Sequence, residues 1–295
     1  MKNDRFDRAA RLLAQCSQKH GWTRGNGKCV RRRVATGAAL LGTAAIGTEL
    51  VSTHDKLNVK QNMPGAPDIS SWKTETPKEK GSNPAKIFVS PSGDRFYGKM
   101  KRMGESNEKF LERSRTEALA SELYKLAGVP SVDMTIGDRN GQVVLLSKMI
   151  ETANTSKEDN RSARDGFVVD AWLANWDAPM HDNIMMSGGK PHRIDVGGSL
   201  DYRAKGGKKG QKGSTPFGET VGEIKTMQKR GKAADFRDMG VDELRSQASR
   251  LSKIKDKDIR SLCIRGGRPD LVDLLIARKK NILDRFVRQP KHSSA

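Results

Sequence analysis

The sequence predicts an α+β fold in which a small β-rich region with one long helix precedes a mainly helical region. Two short alternating segments, 86–89 and 95–102, are typical of strands joined by a turn. The segment 107–127 carries apolar residues at helical spacing and ends at Gly128. Helical patterns then dominate the C-terminal part of the chain, in the segments 218–230, 241–254, 256–264 and 269–288.

Between these regions the chain continues the sheet and then leaves it. Segments 132–136 and 142–149 alternate around Asp-Arg-Asn-Gly, a hairpin signal because Asn and Gly tolerate positive φ. Residues 145–151 are expected to connect the β-rich region to the helical one. Beyond this connection we expect one buried helix and one further hairpin, in the segments 164–177, 183–186 and 192–195.

The composition is strongly basic. The 295 residues include 55 Lys and Arg against 35 Asp and Glu, which gives a formal net charge of +20. Such a charge favours anionic partners, namely nucleotides, nucleic acid, acidic proteins or anionic lipid surfaces. The basic residues are concentrated in 1–33 and in 203–213. With only 5% aromatic residues, part of the chain is expected to remain outside the core.

Residues 1–79 are expected to form a basic N-terminal segment and a linker, with the boundary near residue 80 because 61–80 is rich in Pro, Ser, Thr and Lys. The uncharged run 34–48 is shorter than the roughly 20 residues that span a bilayer, and it lies too far from residue 1 for a secretory signal. A small-residue helix is favoured over membrane association or a processed targeting segment. We expect an intracellular protein.

The three cysteines imply no disulfide framework, because their number is odd and their spacing is wide. Cys16, His20 and Cys29 resemble part of a zinc site, but a fourth ligand is missing and the spacing fits no standard finger. A reduced environment is the default expectation.

Five side chains with complementary chemistry occur in one order along the chain. Lys99 lies on a predicted strand, and Glu117 lies in the long helix. Asp177 and Asn183 bound the stretch Asp-Ala-Pro-Met-His-Asp-Asn, and Asp195 lies in Ile-Asp-Val-Gly-Gly. Phosphoryl transfer needs a lysine for the phosphates, a glutamate that orients it, an acid near the acceptor hydroxyl, and an Asn and an Asp for magnesium. The order of the five favours this chemistry.

Each residue also has an ordinary structural interpretation. A lysine on a strand usually faces solvent, the two aspartates could form turns, and the asparagine could cap a strand. Glu112 and Glu122 lie in the same helix as Glu117, which is favoured because it borders the apolar stripe near the middle of the helix.

Further nucleotide contacts are expected at both ends of the β-rich region. Gly81, Ser82 and Asn83 form a turn whose backbone N–H groups could lie over phosphates, since small residues allow close approach. An adenine ring could pack against Met149 at the connection between the two regions.

These motifs resemble an atypical protein-kinase-like family. The segment 81–225 is similar to HipA-type kinases, type II phosphatidylinositol 4-kinases and actin-fragmin kinase, and to kinase-like domains that accompany phage minor head proteins. The resemblance implies a two-lobed protein-kinase-like fold, with an N-lobe at 80–151 and a C-lobe at 152–295. It also implies ATP and Mg²⁺ as ligands.

The resemblance implies a role for each of the five residues. Lys99 would contact the nucleotide phosphates, and Glu117 would hold that lysine. Asp177 would be the catalytic acid, while Asn183 and Asp195 would be metal ligands.

The sequence also departs from the usual protein-kinase pattern. The six-residue spacing between the catalytic aspartate and the asparagine is one longer than usual, so Asp182 is an alternative ligand or base. No His-Arg-Asp or Asp-Phe-Gly sequence is present, and the glycine loop is sparse. A pseudokinase, or a related domain that transfers another group, therefore stays open.

The sequence thus predicts an ATP- and magnesium-dependent phosphotransferase acting on a protein hydroxyl, with a lipid headgroup as the less favoured acceptor. The basic loop 203–213 occupies the position of an activation segment. It either recognises a substrate or a phosphate, or remains mobile and solvated. The alternative is a nucleic-acid-binding or virion-associated structural protein, although no aromatic platform or recognition-helix motif is evident.

Overall fold

The computed structural model describes residues 22–25, 28–31, 65–76, 83–151, 162–178, 183–229 and 234–288. The chain divides into two compact units, Met1–Val51 and Ser52–Ala295. In the first unit, the described residues form an antiparallel hairpin of β1 (Trp22–Gly25) and β2 (Lys28–Arg31). Several sequence expectations lie outside the described residues, namely those for 34–48, Cys16, His20, Gly81, Ser82 and Asp182.

The second unit contains a five-stranded antiparallel sheet in the order β3-β4-β5-β7-β6. Its strands are β3 (Lys73–Glu75), β4 (Ala85–Val89), β5 (Arg95–Met100), β6 (Met134–Arg139) and β7 (Gln142–Lys148). The turn between β6 and β7 has positive φ at both Asn140 and Gly141, 54° and 80°. The predicted Asn-Gly hairpin is therefore confirmed.

Residues 65–76 belong to this sheet and are not the linker that their composition suggests. β3 pairs with β4 at the edge of the sheet. Trp72 lies against Phe96, with the ring centroids 5.3 Å apart. Ile69 is fully buried on one face of the sheet, in a cluster made by Ile69, Phe88, Val144 and Leu146. The boundaries expected at 79/80 and 151/152 stay predictions, but the sheet itself begins upstream of residue 80.

The long helix α1 (Asn107–Leu126) packs against β6 and β7. Ser106 caps its N-terminus by accepting a hydrogen bond from the backbone N–H of Lys109 at 3.3 Å. The helix ends where Gly128 takes a φ of 72°, a conformation that glycine adopts without steric cost. The predicted helix 107–127 is confirmed to within one residue.

The C-terminal part of the described chain is mainly helical, with one hairpin of β8 (Ile184–Ser187) and β9 (Lys190–Arg193). Its helices share the main apolar core with the second half of α1. They are α2 (Phe167–Trp172), α3 (Glu223–Gln228), α4 (Ala234–Arg237), α5 (Val241–Ser252), α6 (Asp256–Arg265) and α7 (Val272–Phe286). A 3₁₀ turn, Pro269–Leu271, precedes α7.

The described architecture is thus mixed α and β with antiparallel sheets, as predicted. Two helices are shorter than expected: α2 covers six residues instead of the predicted 164–177, and α3 covers six instead of the predicted 218–230. For α2 the structure shows the reason. It ends because Ala174 has a φ of 53°, which is incompatible with a continuing right-handed helix. Every helix in the described ranges is too short or too polar to cross a bilayer.

Candidate active site

Lys99 lies at the centre of a group of three charged side chains. Its Nζ donates to Glu117 Oε1 at 2.5 Å and to Asp195 Oδ1 at 2.9 Å. Lys99 and Glu117 are 7% and 2% exposed, whereas the Asp195 side chain is 51% exposed. The predicted Lys99–Glu117 ion pair is therefore present. Asp195, which lies 96 residues after Lys99 in the sequence, is a second partner of the same ammonium.

Burial and mutual attraction shift the pKa of all three groups. Burial alone would lower the pKa of Lys99, but Glu117 and Asp195 raise it above its ordinary value. Burial raises the pKa of Glu117, against the effect of the Lys99 charge. Burial would also raise the pKa of Asp195, yet Lys99 lowers it below its usual range. An ionised, half-exposed carboxylate therefore lies beside a protonated lysine.

Two consecutive glycines allow the acidic side chains to converge. A Cβ on Gly197 would lie 2.8 Å from Glu117 Oε2, and a Cβ on Gly198 would lie 2.6 Å from Asp177 Oδ2. Real Cβ atoms essentially never approach other atoms so closely. The turn after Asp195 must therefore be Gly-Gly if Glu117 and Asp177 are to lie against it.

Asn183 connects the Asp177 loop to the β8–β9 hairpin. Its Nδ2 donates to the backbone oxygen of Asp177 at 3.1 Å, and its own backbone oxygen accepts from the N–H of Ile194 at 3.0 Å. The hairpin thus places Asn183 opposite the residue that precedes Asp195. No described residue donates a hydrogen bond to the amide oxygen of Asn183, which leaves that oxygen available as a ligand.

The donor set fits magnesium. Carboxylate and amide oxygens are the hard ligands that this ion prefers, and magnesium usually takes only one or two carboxylates from a protein. In the described part of the chain no three His, Cys, Asp or Glu side chains form a metal-binding group. The fit therefore rests on Asn183 and Asp195 together.

A buried polar network supports the loop that carries the candidate catalytic aspartate. The Arg193 guanidinium donates to Asp170 Oδ1 and Oδ2 at 3.1 and 2.8 Å, and both side chains are fully buried. The Tyr124 hydroxyl donates to Asp170 Oδ1 at 2.8 Å and accepts from Asn175 Nδ2 at 3.0 Å. Asn175 lies two residues before Asp177, so the network fixes the start of that loop. Sequence reasoning missed it, because its members are far apart in the chain.

Lys209 joins the same loop to the glycine turn. Its Nζ donates to the backbone oxygens of Ala174, Gly198 and Leu200 at 2.8, 2.8 and 2.6 Å. Burial, with Arg278 nearby, lowers the pKa of Lys209 to about 7. The sequence indicated only a basic loop here and gave no sign that one of its lysines is structural.

The basic loop is also tied to α1. Arg268 donates to both carboxylate oxygens of Asp201, at 3.1 and 2.9 Å, and to the hydroxyl of Thr116, the neighbour of the lysine-holding glutamate. Lys208 forms an ion pair with Glu112 at 2.7 Å. The interpretation of 203–213 as a mobile solvated loop therefore does not hold for its central part.

A cavity of about 500 Å³ opens beside Asp177. It is lined by Trp176, Asp177, Gly198, Arg203, Ala204, Lys205, Lys209, Ser214 and Thr215. Three of these side chains are basic, and one is acidic. The cavity can admit a hydroxyl-bearing group next to the Asp177 carboxylate.

Two other predicted contact residues, Asn83 and Met149, have local hydrogen bonds in the structure. Asn83 Oδ1 accepts a hydrogen bond from Arg102 Nε at 2.7 Å, and Arg102 Nη1 in turn donates to the backbone oxygen of Lys205 at 2.5 Å. Met149 donates its backbone N–H to the oxygen of Arg95 at 2.9 Å, and the residue is 40% exposed. Their proposed nucleotide contacts stay predictions.

No protein-family model matches the chain, and no curated protein matches it either. Twelve chains of solved structures match. One is the crystal structure of a Helicobacter pylori proinflammatory kinase, CtkA, with 12% sequence identity and a TM-score of 0.47 over 74% of this chain and 96% of that chain.

Proposed function

We propose that this protein is a kinase-like phosphotransferase that uses ATP and Mg²⁺ to phosphorylate a protein hydroxyl. The observation that carries the proposal is the Lys99 ammonium held between Glu117 and Asp195, with Asp177 against the adjacent glycine. A buried lysine paired with a buried glutamate is costly, since desolvation offsets much of the attraction between the charges. Such a pair is expected where the ammonium has a task beyond stability.

The nucleotide phosphates would be bound by Lys99, which Glu117 holds in place. Asn183 and Asp195 would hold the magnesium ion, which when bound neutralises charge on the phosphates. The sheet and α1 supply the lysine and glutamate, whereas the hairpin and the loop after α2 supply the other groups. This division supports a two-lobed arrangement with the nucleotide between the lobes, near Gly81, Ser82, Asn83 and Met149.

Asp177 would act on the acceptor. Its carboxylate lines the cavity, where it can accept a hydrogen bond from a hydroxyl and take up the proton as phosphate is transferred. The network beneath Asn175 and the three hydrogen bonds of Lys209 hold its loop before any ligand arrives. Preorganisation of this kind is what positioning in phosphoryl transfer requires.

Calorimetry and a transfer assay test these roles separately. We expect Asp195→Asn to weaken magnesium-dependent ATP binding at least about tenfold, because Asp195 is both a proposed magnesium ligand and a partner of Lys99. Asp177→Asn should bind ATP within about threefold of wild type and lose about 10²- to 10⁴-fold in transfer. Asp133→Asn is the matched control, since this aspartate is exposed and forms an ion pair with Lys125, away from the candidate site.

Two outcomes would contradict the proposal. If ATP with magnesium neither binds nor stabilises the wild-type chain, the phosphotransferase interpretation fails. A thermal-shift response to nucleic acid alone would then support the nucleic-acid-binding alternative, whereas ATP binding without any transfer would indicate a pseudokinase.

A further inference from the structure

Thr215 places a hydroxyl group of the chain itself in the cavity beside Asp177, the candidate catalytic residue. Thr215 and Asp177 line the same cavity, and Thr215 is exposed. No described residue forms a hydrogen bond with its hydroxyl. The neighbouring Ser214 differs, since its Oγ donates to the backbone oxygen of Gln211 at 2.8 Å. Of the two hydroxyls in the cavity, that of Thr215 is therefore the available acceptor.

The loop that carries Thr215 is held at both ends. On one side, Lys209 Nζ donates to three backbone oxygens around the glycine turn. On the other side, Phe217 is 9% exposed and lies 4.4 Å beneath the Arg278 guanidinium. Only seven residues separate Lys209 from Phe217, so the loop confines Thr215 to the neighbourhood of its own cavity.

Two basic side chains in the same cavity have no anionic partner among the described residues. Arg203 packs against Gly207, and its Nε is buried without a hydrogen-bond acceptor. Lys205 is exposed and forms no ion pair within the described ranges. The adjacent Lys208, by contrast, is paired with Glu112. An unsatisfied buried guanidinium N–H is costly, and because Arg203 lines the cavity, an anion placed there can approach this guanidinium.

We propose that Thr215 is a self-modification site, phosphorylated in cis, whose phosphate is then held by Arg203 and Lys205 and closes the cavity beside Asp177. This inference rests on the proposed phosphotransferase function. The bond between Thr215 Oγ1 and the γ-phosphorus forms, and the bond from that phosphorus to the β–γ bridging oxygen breaks. ADP leaves with the electron pair, and the hydroxyl proton passes to the Asp177 carboxylate.

The modification limits the protein's own activity. A phosphothreonine carries a charge of about −1.5 to −2 at neutral pH and three acceptor oxygens, which suit an unpaired guanidinium and an ammonium. Once held there, it occupies the space that an external acceptor needs next to Asp177. A first turnover on Thr215 therefore lowers transfer to other hydroxyls.

Phosphopeptide mapping after incubation with ATP and magnesium tests the site. We expect one phosphate on Thr215, at a rate that does not change over a tenfold range of protein concentration. Thr215→Val should abolish it, whereas Ser214→Ala, the matched control, should retain it. A rate proportional to protein concentration, or a phosphate only on other residues, would overturn the inference.

The capture of the phosphate has a readout that needs no turnover. Phosphothreonine can be placed at position 215 by an expanded genetic code. The melting temperature of the modified chain can then be compared with that of the unmodified chain. We expect the modified chain to melt several degrees higher, the gain to vanish with Arg203→Gln, and the gain to persist with Lys212→Gln, a basic residue of the same loop outside the cavity lining. No gain, or an equal gain in the Arg203 variant, would overturn the capture.

Calorimetry of magnesium-ATP binding separates this inference from the function on which it rests. If the chain binds magnesium-ATP and phosphorylates other hydroxyls but not Thr215, the self-modification site is ruled out and the phosphotransferase proposal stands. Absence of magnesium-ATP binding would remove both.

Discussion

At the residue scale, the proposed function depends most on the Lys99 ammonium. It is buried and faces two carboxylates, one buried and one half-exposed. Buried ion pairs contribute little net stability compared with apolar residues of the same volume, but removal of one partner leaves an uncompensated charge. Single and double substitutions at this pair should therefore differ strongly in their effect on the free energy of unfolding.

Lys99→Met should lower the free energy of unfolding by about 3–5 kcal/mol, because Glu117 then stays buried without its cation. Lys99→Met combined with Glu117→Leu should recover most of that loss, while ATP binding stays absent in both variants. Urea denaturation measures the first effect and calorimetry the second. Lys86→Met, on an exposed position of β4, should change stability by less than about 0.5 kcal/mol. Equal stability of the single and double variants would contradict the assignment of a buried pair.

Substitutions at Gly197 and Gly198 can test the proposed roles of Glu117 and Asp177 separately, because each glycine lies against one of these carboxylates. Gly198→Ala should displace the Asp177 carboxylate and reduce transfer about 10²-fold with ATP affinity kept, since small misplacements at a reacting group have large effects. Gly197→Ala should displace Glu117 instead and weaken ATP binding. Gly222→Ala is the control, because nothing lies within 4 Å of its Cβ position. If both variants weaken ATP binding equally, the two carboxylates do not act separately.

At the scale of elements, the parts that could be predicted have local signals. The spacing of apolar residues and the terminal glycine indicated α1, and Asn140-Gly141 indicated the turn between β6 and β7. Lys99 and Glu117 could be paired because a strand followed by a helix packed on it places their side chains near each other. The edge strand β3 was missed, since Lys-Thr-Glu is exposed, polar and too short to show a period.

The remaining features depend on contacts between distant parts of the chain. Arg193 and Asp170 are 23 residues apart, and neither lies in a pattern that predicts a buried charge. The early end of α2 depends on Ala174, whose carbonyl is bound by Lys209, 35 residues later. A sequence pattern reports a residue's neighbours in the chain, whereas these conformations are set by tertiary hydrogen bonds.

Lys209 predicts a pH dependence of stability. Its pKa is about 7 in the folded chain and near 10.5 in the unfolded one, so the unfolded chain binds more protons between these values. Stability contributed by this residue is therefore lowest below pH 7 and rises as the pH increases through that interval. Relative to Lys209→Met, wild type should gain up to about 2.5 kcal/mol between about pH 7 and pH 9.

Urea denaturation at several pH values measures this difference. Lys208→Met is the matched control, because Glu112 raises the pKa of Lys208 and no proton is exchanged in that interval. A constant difference between wild type and Lys209→Met would mean that the three carbonyl acceptors keep the ammonium charged throughout.

At the scale of the whole molecule, charge and architecture point to the same class of ligand. The net charge of +20 attracts anions. Arg203 and Lys205, which have no anionic partner among the described residues, line the same cavity as Asp177, the proposed proton acceptor. Arg268 and Lys208 connect the segment around this cavity to α1, which carries Glu117. Thr116 directly precedes Glu117 in the helix and Glu112 lies one turn earlier, so both contacts hold the helix that positions Glu117.

The N-terminal limit of the folded unit gives the last prediction. A chain that begins at Ser52, the start of the second compact unit, should retain cooperative unfolding and ATP binding. A chain that begins at residue 80 loses β3, Ile69 and Trp72, and it exposes the apolar face around Phe88. Loss of a buried isoleucine alone costs about 2–5 kcal/mol, a large fraction of the stability of a typical domain. Ile69→Ala in the full chain should therefore reproduce much of the destabilisation, which urea denaturation measures. Equal stability of the two truncated chains would mean that 65–76 is not part of the folded sheet.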